Sequence, residues 1–397
     1  MNEEDVETRI AQNVNEDTFQ IPTDEEVKEK WEEINKSLER SSLLYDFHAI
    51  WQSFQGEGIK VAVLDSGIDI DHPAFPDDVF DSFARVENRR ITRGRHAVQD
   101  FNGHGTHCAG IIAARPLKWH KEKSKGKYIP YEPIWESNAV KAQKELADKK
   151  TDWGNIYWLA KGRKLKLFSE LDGRFSGVAP RAKLMIYKIT KHDGEDDNGK
   201  PIDRGVAKVV DLALAIRDAV DEGADIISIS IQSDIGTEEL YDAIHYALDK
   251  KRIVICSAGN RGRLQQINVG YPARFGGVIT VAAVTRFGQP SGFTSVGGEI
   301  DVGAPGESVW STWKDNSYAK QSGTSMAAPW VAGIAALLLS KHRWFSKHKL
   351  TNKTPIRNNE EMRQHILMMA THPGHYDPYT GYGALWPCDY LSRGSTV

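Results

Sequence analysis

The chain has 397 residues, enough for one large domain or two ordinary ones. An apolar fraction of 40% and a charged fraction of 26% exclude a disordered or collagen-like chain, and a net charge of −3 gives no reason to expect a nucleic-acid partner. Three cysteines, Cys108, Cys256 and Cys388, do not suggest a disulfide framework. The N-terminus, Met1-Asn-Glu-Glu-Asp5, shows no basic stretch followed by an apolar run, and no segment reaches 18 consecutive apolar residues. No signal peptide, no membrane contact and a cytoplasmic location are therefore expected.

Residues 1–44 carry thirteen acidic against five basic side chains and read as a separate acidic extension. Thr23-Asp-Glu-Glu26 after Pro22 has the form of a capping box. Val27, Trp31, Ile34 and Leu38 then follow at helical spacing, a single apolar stripe. The extension is expected to be either an arm docked on its own domain or a short pro-segment. The remainder, residues 45–397, reads as one domain. Ile59–Leu64, Lys183–Ile189, Asp225–Ile231, Ile253–Ser257 and Val278–Ala283 are short apolar runs of strand length. Val206–Glu222, Tyr241–Leu248 and Met326–Ser340 read as helices, the last so apolar that it must be central. Strands alternating with helices predict an α/β fold, a mostly parallel central sheet with helices on both faces. Ligand sites in such sheets lie at the carboxyl ends of strands.

Three motifs carry chemistry. Val61-Ala-Val-Leu-Asp65-Ser-Gly67 is a buried strand ending in a carboxylate. His104-Gly-Thr-His-Cys-Ala-Gly110 offers two imidazoles, His104 and His107, on a helix of small residues. Gly323-Thr-Ser325-Met-Ala-Ala-Pro329 places hydroxyls at the start of the central helix. A serine hydroxyl becomes a useful nucleophile when a base takes its proton and a carboxylate holds that base in one tautomer. Ser325 on the first helical turn would have the helix N–H groups beside a developing oxyanion. Thr324 and Ser322 are the alternative hydroxyls.

The order of these motifs, Asp, His, Ser, and their local contexts resemble the subtilisin-like serine peptidases, the subtilases, from about Phe54 to about Tyr390. The resemblance implies the three-layer subtilisin-like fold and a triad of Asp65, His104 and Ser325, with His107 structural. Ser257-Ala-Gly-Asn260 matches the family's oxyanion segment, so the Asn260 amide is the implied oxyanion donor. An extended peptide substrate would add a strand along Ser230, Ile231 and Gln232, with Gly259, Gly270 and Ala273 lining the pocket for the residue before the cleaved bond. Gln232 stands where the family usually has glycine, a change expected to narrow the channel or redirect specificity. Arg261 would either stand beside that pocket or point to solvent. Asp193, Glu195, Asp196 and Asp197 form an acidic loop on the side where the earlier substrate residues would lie. Cys108, four residues after His104, would sit beneath the imidazole, as in proteinase K-like subtilases.

Subtilases need no cofactor for the reaction, but many bind calcium. Here His72-Pro73 is followed by Ala74, and the calcium-binding loop is replaced by an insertion, so the tight site is expected to be lost. A weak cation site is expected from the carbonyls of Ala273, Phe275 and Val278 and the carboxylates of Glu299 and Asp301. The insertion, about 115–174, is basic and holds Trp119, Trp135, Trp153 and Trp158, with a helix expected over Lys141–Lys149. It reads as a docking arm for a partner protein or as a face for the acidic extension. The expected activity is a serine endopeptidase acting on a protein or peptide through an acyl-enzyme on Ser325. The alternatives are a peptide ligase or macrocyclase on the same fold, or a non-catalytic peptide-binding protein.

Overall fold

A computed structural model describes residues 7–10, 17–18, 54–115, 176–196, 199, 201–262, 269–285, 288–348, 356–385 and 387. The expected stripe at Val27, Trp31, Ile34 and Leu38, the capping box, Asp197, Cys388 and the insertion's four tryptophans and Lys141–Lys149 helix lie outside the described residues. In chain order the strands are β1 (Glu7–Ile10), β2 (Asp17–Thr18), β3 (Lys60–Asp65), β4 (Phe80–Glu87), β5 (Arg90–Arg93), β6 (Lys183–Lys188), β7 (Val206–Lys208), β8 (Ile226–Ile229), β9 (Ile231–Gln232), β10 (Ile253–Ser257), β11 (Ile279–Val284), β12 (Val302–Pro305), β13 (Val309–Trp313) and β14 (Ser317–Gln321). The helices are α1 (His104–Ala113), α2 (Val209–Asp221), α3 (Glu238–Asp249), α4 (Thr324–Lys347) and α5 (Asn359–Leu367).

Eight strands form the central sheet in the order β12-β11-β10-β8-β3-β6-β4-β5, parallel except for the β4–β5 pair. Every residue of β10 and β11 is buried, which is why these strands read as unbroken apolar runs rather than alternating ones. One face of the sheet packs on α1 and α4, the other on α2 and α3. Successive residues of β3 divide accordingly: Val61 and Val63 face the first core, Ala62 and Leu64 the second. Beside β3 stand β6, β4 and β5 on one side, and β8, β10, β11 and β12, in outward chain order, on the other. The carboxyl ends of β3 and β8 therefore flank the point where the order reverses, the usual place for a ligand crevice.

Two expected elements are corrected. Val206–Glu222 is not one helix: Val206–Lys208 is an extended strand paired with β1, and α2 begins only at Val209. Asp225–Ile231 is not one strand: the sheet strand ends at Ile229, Ser230 breaks the run, and Ile231–Gln232 pairs with β1 instead. In both cases a hydrogen-bond partner distant in sequence decides the backbone conformation. The helix read as Met326–Ser340 extends to Thr324–Lys347. Among the described residues it is the one helix long and apolar enough to cross a membrane, yet 94% of its apolar window is buried in this fold.

The loops that carry β3's end and α1's start touch closely. A Cβ at Gly105 would collide with the carbonyl oxygen and amide nitrogen of Gly67. Backbone there cannot retreat without moving Asp65 and His104 apart. Gly105→Ala is therefore expected to lower stability by about 1–3 kcal/mol, read as a lower urea midpoint, with a further loss of kcat. An unchanged midpoint would show that the contact is soft.

Candidate active site

Asp65 ends β3 and is 1% exposed, as is His104 at the start of α1. The His104 Nδ1–H donates to Asp65 Oδ1 at 2.8 Å, and the Ser66 N–H donates to the same oxygen at 2.7 Å. With Nδ1 as donor, Nε2 is the basic nitrogen, and it is buried with no hydrogen-bond partner. Burial by itself would lower the His104 pKa, but the Asp65 carboxylate more than reverses this and holds it well above 6.5. His107 differs. Its Nε2–H donates to the carbonyls of Val309 (3.2 Å) and Ala319 (3.1 Å), and burial pushes its pKa down to about 3. It ties α1 to the β13–β14 hairpin, and its lowered pKa makes it a weak base.

Pro329 shapes the start of α4. Proline has no N–H, so the carbonyl of Ser325, four residues earlier, receives no helix hydrogen bond. The Ser230 Oγ–H (3.2 Å) and Cys108 Sγ–H (3.3 Å) fill its place. Ser325 Oγ–H in turn donates to the Ser230 carbonyl at 3.3 Å. Cys108 Sγ also lies 3.7 Å from His104 Nδ1, which sets the imidazole beside the first turn of α4. The break of the strand at Ser230 thus has a cause: both its polar groups turn toward Ser325. The alternative hydroxyls are engaged elsewhere. Thr324 Oγ1 accepts from the Gly259 N–H (3.1 Å) and donates to Asn260 Oδ1 (3.0 Å), and Ser322 Oγ accepts from the Ser308 N–H (2.8 Å).

Asn260 Oδ1 also accepts the Thr324 N–H at 2.9 Å. With the oxygen end of the amide fixed on α4, Nδ2 is its donor end, and the first N–H groups of the helix have no intrahelical acceptor. A carboxylate-held imidazole, a hydroxyl and two kinds of N–H donor are what acyl transfer requires.

Of the other expected residues, Ile231 is buried and Gln232 half-buried on β9. Gly259 and Gly270 flank the Gln232 amide. Ala273 is buried in the core beneath. Arg261 pairs with Asp234, so its charge is met by a carboxylate. Asp193 lies 3.6 Å from Arg204 in the loop that leads to β7. Of the expected cation-site residues, Asp301 and the Ala273 carbonyl are already engaged, while Glu299 Oε2 is buried with no hydrogen-bond partner. Asp301 Oδ1 accepts from Arg363 Nε at 2.6 Å and Oδ2 from the Thr280 N–H at 2.8 Å. The Ala273 carbonyl is used by the Thr280 hydroxyl at 2.8 Å, and Glu299 lies 3.6 Å from Arg274. A hard cation would have to displace a guanidinium. Among the described residues the one cluster of three close ligand-type side chains is Asp65, His104 and Cys108, the site itself.

Sequence reasoning missed the supporting groups. Asp100 accepts from the N–H groups of Asn102, Gly103 and Thr106 and from the hydroxyls of Ser66 and Thr106. Burial alone would raise its pKa, but Lys188 and these donors lower it. Lys188, fully buried, donates to Asp203 and to the Ser66 carbonyl, both at 2.6 Å. A lysine at the end of a strand whose interior is apolar, Leu184–Tyr187, is the available signal.

The sequence profile of the subtilase family matches residues 56–383. Thermitase from Thermoactinomyces vulgaris is 29% identical over 74% of this chain and 79% of its own length. The major intracellular serine protease of Bacillus subtilis strain 168 is 30% identical over 75% and 73%. A thermophilic serine proteinase of Bacillus sp. strain AK1 is 29% identical over 84% of this chain but 62% of its own length. The chain belongs to the subtilase family and is a subtilisin-like serine hydrolase.

The raised pKa of His104 has a kinetic consequence. General-base action needs the neutral imidazole, so kcat/KM should rise with pH along a limb whose midpoint lies above 6.5. Asp65→Asn removes the neighbouring charge, so it should move that midpoint down and lower kcat by about 10⁴, the effect of the same change in other serine proteases. A parent midpoint at or below 6.5 would contradict the electrostatics described.

Proposed function

We propose that this chain is an endopeptidase that hydrolyses peptide bonds through an acyl-enzyme on Ser325, with Asp65, His104 and Asn260 as its other catalytic residues. The observation that carries the reading is the buried 2.8 Å hydrogen bond from His104 to Asp65, with the imidazole's second nitrogen unpartnered beside the first turn of α4. A rotation about χ1 of Ser325 moves its hydroxyl from the Ser230 carbonyl to His104 Nε2. Ser325 Oγ then attacks the substrate carbonyl carbon as His104 takes the hydroxyl proton. Asn260 Nδ2–H and the Ser325 N–H receive the oxyanion. His104 returns the proton to the leaving amine as the C–N bond breaks. Water repeats the sequence, regenerating the hydroxyl and releasing the acid.

Fluorophosphonate labelling of Ser325 tests the nucleophile. Ser325→Ala should remove both label and turnover. Asn260→Ala should slow turnover by about 10²–10³, the cost of losing this donor in subtilisin. Mass spectrometry of the products separates hydrolysis from ligation or cyclisation. Full activity in either variant would overturn the assignment.

An intracellular role in processing a protein substrate is proposed alongside, supported by the similarity to the intracellular protease of Bacillus subtilis and by buried, unbridged Cys108 and Cys256. The N-terminal extension is proposed to restrain the site. β1 runs antiparallel between β7 and β9, with Arg9 opposite Gln232 and Ile10 opposite Ile231. That is the edge on which a peptide substrate would add its strand. Thr8 is fully buried and its hydroxyl donates to the Ala207 carbonyl at 3.3 Å. Beyond β1, β2 pairs with Ala319 and Lys320 on β14, a few residues before Thr324. The two strands thus engage the segment just after Ser230 and the hairpin strand just before Thr324. This contact differs from docking on the basic insertion. The insertion's flanks, Arg115 held to Asp78 and Pro180 and Gly177 held to Ala114, emerge at the end of α1 remote from His104.

Deleting residues 1–44 should therefore raise kcat/KM on a short peptide. Unchanged kinetics in a folded deletion variant would reduce the extension to a structural arm.

A further inference from the structure

Gln232 does more than replace a glycine. Its side-chain oxygen Oε1 is buried with no hydrogen-bond partner, an arrangement that a fold tolerates only at a loss of stability. The amide is folded inward between two backbone walls. A Cβ at Gly259 would collide with Oε1, and one at Gly270 would stand 2.9 Å from Oε1 and 3.0 Å from the Gln232 Cβ. Gly259, with φ of +107°, sits one residue before Asn260. Gly270 exchanges backbone contact with the same segment, its N–H donating to the Ala258 carbonyl at 3.3 Å. The amide therefore fills the space between the oxyanion segment and the Gly270 turn.

The register of β1 says which substrate residue meets that amide. A peptide lying on β9 as β1 does has its residues opposite Gln232, Ile231 and Ser230 in succession. Ser325 Oγ is held at the Ser230 carbonyl, so the residue opposite Ser230 is the one whose carbonyl would be acylated. Directly opposed residues of an antiparallel pair share a face, and alternate residues return to the same face. The side chain of the acylated residue thus falls on the face of Gln232. It enters the space that the amide already occupies.

We infer that Gln232 is a specificity-determining residue that restricts this enzyme to substrates with a small, uncharged side chain, Gly, Ala or Ser, immediately before the cleaved bond. The pocket ends in an amide rather than an open cavity. A large aromatic or branched side chain would need Gln232 to swing out against β9, whereas a small one fits as the pocket stands. Oε1 can accept the hydroxyl of a serine there. A basic side chain gains nothing, because the adjacent carboxylate, Asp234, is held by Arg261. In this chain the residue after Ile10 in sequence is Ala11, a member of the accepted class. This inference rests on the peptidase reading of Ser325.

The test is a set of tetrapeptide anilides differing only in the residue before the cleaved bond: Gly, Ala, Ser, Leu, Phe and Lys. They are assayed on the full chain. Competition from the chain's own strand scales every substrate alike, so the ratios are insulated from it. Wild-type kcat/KM for Ala should exceed that for Phe and for Lys by at least ten-fold. In Gln232→Gly the Phe-to-Ala ratio should rise at least ten-fold, and in Gln232→Ala by a smaller factor. Fluorophosphonate labelling of the same samples reports the nucleophile separately. Absence of label removes the peptidase reading and this one with it. Normal labelling with a wild-type preference for Phe, Leu or Lys overturns the specificity inference alone. If Gln232→Gly fails to fold, the wild-type ranking and Gln232→Ala still decide.

Discussion

A carboxylate buried beside an imidazole is costly unless donors reach it and hold it in place. Asp65 is 1% exposed, and much of the molecule around it serves this requirement. The Ser66 N–H and His104 Nδ1–H both reach one of its oxygens. Ser66 is itself fixed three times over. Its carbonyl is held by Lys188, its hydroxyl donates to Asp100, and its oxygen accepts the Gly105 N–H at 2.9 Å. Asp100 in turn gathers the N–H of Thr106 in the first turn of α1, so the carboxylate at the end of β3 and the imidazole at the start of α1 share one framework. Buried charge is tolerated here because it is balanced: Lys188 lies between Asp203 and the Asp100 side of the web. Removing one member would leave its partner uncompensated, which is costlier than never having buried the pair.

The second constraint comes from a missing hydrogen. Pro329 inside α4 leaves the Ser325 carbonyl open, and the groups that fill it are Ser230 and Cys108. One proline therefore draws three elements together: the helix bearing the candidate nucleophile, the break between β8 and β9, and α1 below the imidazole. Cys108 is suited to this place because a thiol is small and a weak donor. Its pKa is raised, by burial first, so at neutral pH it stays a thiol and does not compete with Asp65 for the imidazole proton.

How much of the fold was legible in the sequence depends on how local each cause is. β3, β6, β10 and β11 could be read because full burial imposes apolar residue types directly. The strand end at Asp65 and the helix starts at His104 and Ser325 could be read because glycine and small residues mark them. β7 and β9 could not, since three and two residues become strands only by pairing with residues near the N-terminus. Lys188 and Asp203 could not be paired, being separated in sequence and joined only when β6 meets the loop before β7. The expected cation ligands meet the same limit. Glu299 and Asp301 have the right oxygens, but Arg363 arrives from another segment and engages Asp301. Residue type reveals chemistry that a site could do, and the neighbours brought by the fold decide whether its groups are already used.

The same logic links the N-terminal strand to the substrate pocket. An edge left open, as β9 would be without β1, invites a strand from any chain, and tethering gives the protein's own segment a concentration advantage over a diffusing peptide. A segment held this way survives beside a hydrolytic centre either by being a poor fit or by being cut slowly. The backbone of β1 fits the edge as a substrate would, so discrimination must come from side chains, those of β1 and of the residues after Ile10. The pocket narrowed by Gln232 would not reject Ala11, so on this reading the protection of the segment rests on the other side chains of β1. On the proposed reading, an edge kept covered and a pocket kept small act in the same direction: both reduce the number of peptides that reach Ser325.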